Sequence, residues 1–131
     1  MDTRVRRALE TDRTIDITTT GRTTGRPHRI EMWFHNLDGQ LYLTGTPGTR
    51  GWYANLLTDP AFTFHLKGSV RADLPARASP VVETERRRSI LSLLLERLGR
   101  AEELDGWVRG SPLVAVEILD AGPIVGPHSL P

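Results

Sequence analysis

Two stretches of this chain concentrate hydrogen-bond donors. The first is TTTGRTTGRPHR, residues 18–29, which carries Arg22, Arg26 and Arg29, five threonine hydroxyls and no acid. The second is TGTPGTRGWYANL, residues 44–56, with Thr44, Thr46, Thr49 and Arg50 just ahead of a short helical segment. Guanidinium forks and hydroxyls suit phosphate and carboxylate oxygens. A glycine-rich loop that runs into a helix N-terminus favours an anion for the same reason. The chemistry these residues point to is anion binding from two sides. A plainer reading uses the same residues as a soluble hairpin end followed by a helix cap.

Other chemistries find less support. No Gly-x-Gly-x-x-Gly follows a first strand and no Walker-type loop is present. His28, His35, His65 and His128 show no metal spacing, so no metal site is expected, and His35 and His65 read as half-exposed strand residues. Ser111 and Ser129 lack a nucleophile-elbow context. The absence of cysteine excludes disulfides, thiolate metal sites and a cysteine nucleophile. No residue stands out as a catalytic acid or base.

The donor loops need elements to hold them. Residues 3–12 form a short helix with Val5, Ala8 and Leu9 as its apolar stripe. TIDITTT (14–20) is β-branched and alternating, hence a strand. HRIEMWFHNL (28–37) alternates too, with Ile30, Met32 and Phe34 on one face. Asp38-Gly39 is a two-residue hairpin signal that returns the chain through QLYLTGT (40–46). WYANLL gives a helical turn or two, stopped by Asp59-Pro60. AFTFHLKG and SVRADLPARA follow as strands. The period then changes: 83–99 places Ile90, Leu91, Leu94, Leu95 and Leu98 on one helical face, with Gly99 as its stop. EELDGWVRG forms a further helical turn, LVAVEIL (113–119) a last strand, and the final twelve residues a loose tail. The expectation is one mainly β domain over 1–131: about six short antiparallel strands in a barrel or sandwich, with a packed helix. Ile30, Met32, Phe34, Phe62, Phe64, Leu66, Val114 and Val116 should be buried. The donor loops flank the hairpin 28–46 and so fall at the same end of it.

At 131 residues the chain suits a single domain with a real core. Its net charge of +1 and its interspersed acids argue against nucleic-acid binding. No apolar run approaches the roughly 18 residues of a membrane span, and MDTRVRRALETDR has no signal-peptide core. A cytoplasmic protein without membrane or nucleic-acid partners is expected. Sixteen of the seventeen basic residues are arginine, which codon bias or a demand for bidentate anion contacts would each produce.

GRTTGRPHRIEMWF, DGQLYLTGT, GWYANLLTDPAFTFHLKG and VRADLPARA together resemble the deazaflavin-dependent nitroreductase-like family. That family belongs to the split β-barrel flavin and deazaflavin oxidoreductases related to pyridoxamine phosphate oxidase. The resemblance spans about residues 14–120. It implies a six-stranded split barrel, often a homodimer, that binds coenzyme F-420 (an 8-hydroxy-5-deazaflavin) or, alternatively, FMN. It implies hydride transfer to a small electron-poor acceptor, the cofactor performing the chemistry. Arg22, Thr24, Arg26 and Arg29 would then face the anionic part of the cofactor. Thr44, Thr46, Thr49, Arg50, Trp52, Tyr53 and Asn55 would form the second wall. Trp52 and Tyr53 also suit a barrel core, and Asn55 a bond to the neighbouring loop. The alternative function is a non-catalytic carrier of deazaflavin, FMN or haem on the same fold. Thr23 stands where many relatives have lysine, and no nitro-compound substrate is carried over.

Overall fold

The computed structural model describes residues 1–119. The expected tail and His128 and Ser129 lie outside the described residues. The elements in order are α1 (Thr3–Thr11), β1 (Thr14–Thr20), β2 (Pro27–Trp33), β3 (His35–Leu37), β4 (Gln40–Thr44), α2 (Gly51–Thr58), β5 (Ala61–Lys67), β6 (Arg71–Pro80), α3 (Thr84–Leu98), α4 (Leu104–Gly110) and β7 (Leu113–Ile118). A 3-10 turn at Ala101–Glu103 precedes α4.

The strands form one antiparallel sheet in the order β2-β1-β5-β6-β7-β4-β3. Its two edge strands, β2 and β3, are consecutive in sequence and separated by Phe34 alone. The chain leaves one edge and enters the other within a residue, so the sheet curls back on itself as a split barrel. Phe34 is buried, stacks edge-to-face on Phe64 with centroids 5.2 Å apart, and donates its backbone N–H to the Arg13 carbonyl at 3.0 Å. The expected strand 28–37 is therefore two strands, and the sheet has seven rather than six. The expected burial of Phe34, Phe62, Phe64, Leu66, Val114 and Val116 is observed. Ile30 is 38% exposed and Met32 only half-buried, because β2 has a neighbour on one side only.

Two cores result. Inside the barrel, Ile15, Ile17, Phe64, Leu43, Leu74 and Val114 meet the stripe of α1 and Trp52 and Leu56 of α2. Outside it, α3 and α4 cover Tyr42, Leu113 and Ala115 with Ile90, Leu91, Leu94, Leu95, Trp107 and Val108. Residues 113–116 of β7 are thus buried on both faces, which explains their unbroken apolar run. Local signals act as expected. Asp38 and Gly39 take φ of 52° and 94°. Glu83 accepts from the Arg86 and Glu85 N–H groups, and Gly99 ends α3 at φ 72°. Arg87, in phase with the α3 stripe, is buried. It donates to the carbonyls of Val81, Trp107, Val108 and Ser111 at 2.6–3.1 Å, tying α3 to the C-terminal end of α4.

Leu94→Ala should lower stability by about 2–4 kcal/mol, whereas Leu93→Ala, at a position 55% exposed one residue away, should change it by less than about 0.5 kcal/mol. Urea midpoints of the two variants decide this. His35 supplies a pH test. Burial, with Arg13 and Arg97 nearby, lowers its pKa to about 4. The unfolded chain then binds the extra proton first, so stability should fall as pH drops from about 6.5 towards 4. His35→Gln should flatten that part of the stability profile.

Candidate functional site

The turn between β1 and β2 is built by its own backbone. Gly21 N–H donates to the Arg26 carbonyl at 2.8 Å, and Gly25 N–H to the Gly21 carbonyl at 2.8 Å. Gly25 sits at φ +73°, which favours glycine. Arg26 N–H donates to Thr24 Oγ1 at 3.2 Å. Pro27 then starts β2.

This turn rests on α2 through one side chain. Asn55 is 5% exposed. Its Oδ1 accepts from Arg22 N–H at 3.1 Å and Arg22 Nη1 at 2.8 Å, and its Nδ2 donates to Thr19 Oγ1 at 3.0 Å. One amide therefore joins β1, the turn and the helix, and it is a partner to three polar groups at once. The two donor loops do converge on the same end of the barrel, by way of α2.

Between turn and helix lies a cleft of about 410 Å³. One wall is Gly21, Arg22, Thr23 and Thr24, with His28 and Ile30 from β2; the other is Gly51, Trp52 and Asn55, with Thr19 beneath. No acid lines it. Arg22 is held by an uncharged amide, so its positive charge is not cancelled there. Arg26, exposed on the same turn, has no side-chain partner among the described residues.

Arg29 is placed differently. It faces the outer side of the sheet and pairs with Asp16 at 2.9 Å. The Asp16 carboxyl is held below its usual range, chiefly by Lys67 and then by Arg29. Lys67 also pairs with Glu31. On the same outer face buried His65 lies 2.7 Å from both Thr18 Oγ1 and Asp73 Oδ1.

Of the eleven candidate residues, Arg22, Thr24, Trp52 and Asn55 reach the cleft. Thr44 Oγ1 donates to the Pro112 carbonyl inside the fold. Arg50 donates to the Thr46 carbonyl and Oγ1 and to the Thr49 carbonyl, so its guanidinium braces its own loop. That loop is pinned to α4 by Gly48 N–H on the Gly110 carbonyl at 3.1 Å. Tyr53 is half-buried against the edge of Trp52 and packs on the barrel core. His28 and Ile30 are cleft residues that the sequence reading did not select, and Thr23, counted among the turn's hydroxyls, joins them there. Strand parity was the signal for the two β2 residues: His28 shares its face of β2 with Ile30 and Met32.

The model of the F420H(2)-dependent quinone reductase family matches residues 1–102. The fold resembles a conserved hypothetical protein, Rv2991, from Mycobacterium tuberculosis. That protein is 21% identical with a TM-score of 0.71, over 90% of this chain and 81% of that one. An F420-H2 dependent reductase is also 21% identical, with a TM-score of 0.62 over 81% and 95% of the two chains. The heme storage protein HutZ of Vibrio cholerae is 16% identical, with a TM-score of 0.66 over 92% and 90%. At these identities the likeness is one of fold. No curated protein matches.

Asn55→Ala should cost about 1–3 kcal/mol, because it leaves the Arg22 N–H and Thr19 hydroxyl without their partner. Thr23→Ala, on the exposed rim, should cost less than about 0.5 kcal/mol. Thermal denaturation of the pair measures the difference.

Proposed function

We propose that this chain, which belongs to the F420H(2)-dependent quinone reductase family, reduces a small electron-poor acceptor such as a quinone at the cleft between the 21–26 turn and α2. The protein is a deazaflavin-dependent oxidoreductase with coenzyme F420 as its cofactor. When bound, that cofactor supplies the hydride.

The observation that carries the site is the donor set. A cleft that holds an unneutralised guanidinium, three threonine hydroxyls and no acid suits the phosphodiester and glutamate tail of a deazaflavin. Trp52 and Ile30 supply the apolar surface that a flat ring system needs. In this reading Arg22, Thr23 and Thr24 hold the anionic part, and Arg26 adds positive charge at the rim. Asn55 acts through Arg22: it fixes the guanidinium so that little rotamer freedom is lost on binding. Trp52 shields the apolar side from water.

We take the protein to be a single-domain, cytoplasmic homodimer. The exposed edge strand β2, with Ile30 and with Trp33 at 47% exposure, supports a partner at that edge.

Titration with oxidised coenzyme F420, followed by fluorescence, tests the site. Arg22→Ala should weaken binding by about ten- to a hundredfold, roughly 1.5–3 kcal/mol. Arg77→Ala, on the outer face of β6, should leave the Kd unchanged. A parallel titration with FMN should show weaker binding. Equal affinity of Arg22→Ala and the parent would remove the cofactor from this cleft.

A further inference from the structure

The His28 imidazole makes no hydrogen bond among the described residues, and its ring lies close against Gly21. A Cβ at Gly21 would lie 2.6 Å from His28 Nε2 and 2.9 Å from its Cδ2. The imidazole is therefore seated against the bare backbone of Gly21, on the donor wall of the cleft beside Arg22, Thr23 and Thr24. It is exposed.

The charges around it are of one sign. The turn contributes Arg22 and Arg26. The α2 wall presents Gly51, Trp52 and Asn55, and β1 presents Thr19, none of them titratable near neutrality. The nearby carboxylates, Asp16 and Glu31, are engaged with Arg29 and Lys67 on the outer face of the sheet. An anion in the cleft thus meets a permanent cation and one imidazole, whose charge is set by pH.

We propose that His28 is a switchable anion ligand of this cleft. As imidazolium it joins Arg22 against the phosphate-bearing acidic portion of the cofactor, and as neutral imidazole it withdraws that charge. The inference rests on the cofactor reading above and adds a consequence to it. Affinity for the cofactor is high when His28 is protonated and falls as pH rises and the imidazole loses its charge, since the bound state retains the proton more strongly.

The test measures the Kd of full-length protein for oxidised coenzyme F420 at about pH 5.5 and about pH 8.5, on either side of neutrality. Titration of the ligand itself is common to all variants and cancels in the comparison. The parent should lose about tenfold more affinity across the interval than His28→Gln, which should bind weakly at both values. His28→Arg, with a fixed charge, should bind tightly at both. Gly21→Ala, which displaces the ring without removing it, should behave like His28→Gln. If His28→Gln keeps the full pH dependence of the parent, or His28→Arg binds no better than His28→Gln, the inference is overturned while the cofactor site stands. If the parent binds no cofactor at either pH, both fall.

Discussion

The structure depends on one closure. A sheet with seven strands has two edges, and here both belong to a single stretch, Pro27–Leu37, that changes partner at Phe34. Once β2 is paired with β1 and β3 with β4, the sheet must curl, and the curl creates the interior that Phe34, Phe64, Ile15 and Leu43 fill. The same closure leaves β2 with a free side. Its first residues consequently line an opening instead of a core, and the opening is the cleft.

The cleft has an electrostatic logic that follows from the sorting of side chains across the sheet. Arg29, Asp16, Lys67 and Glu31 share the outer face and neutralise one another. Arg22 leaves the sheet at the turn, where the Asn55 amide and the Gly51 carbonyl meet it and no carboxylate does. An amide oxygen orients a guanidinium without cancelling its charge, whereas a carboxylate in the same place would have competed with any anionic ligand. Asn55 therefore does two things at once: it locks the turn to α2 and keeps the site positive.

Much of this is written locally in the sequence. The alternation of 14–20 and 61–67, the Asp38-Gly39 turn and the α3 stripe with its glycine stop are all properties of a few neighbouring residues. The break at Phe34 is not, because Ile30, Met32 and Phe34 alternate straight through it and the change of partner is a long-range event. Arg87 belongs to a run of three arginines, and its burial depends on where α4 ends. At the cleft, Trp52 and Asn55 were singled out by the family resemblance alone, whereas Arg22 and Thr24 belong to the donor turn that residue type picks out. Arg50 was not separable from them by type, since a guanidinium among threonines satisfies itself on its own loop as readily as on a ligand. His28 was hidden by the charge around it, although its parity with Ile30 placed it on the inner side.

The position of β7 carries a consequence for how the protein is made. It is the last described strand in the chain, yet it lies between β6 and β4 near the middle of the sheet. A nascent chain that has emerged only through α3 can pair β1, β2, β5 and β6 in one block and β3 with β4 in another, and nothing bridges the two. Until residues 113–118 leave the ribosome, β6 and β4 each present an unpaired edge, and the apolar face of α3 has no Leu113 or Ala115 to cover. Completion of the barrel therefore waits for β7, and the half-finished sheet before it is the species most exposed to misassociation.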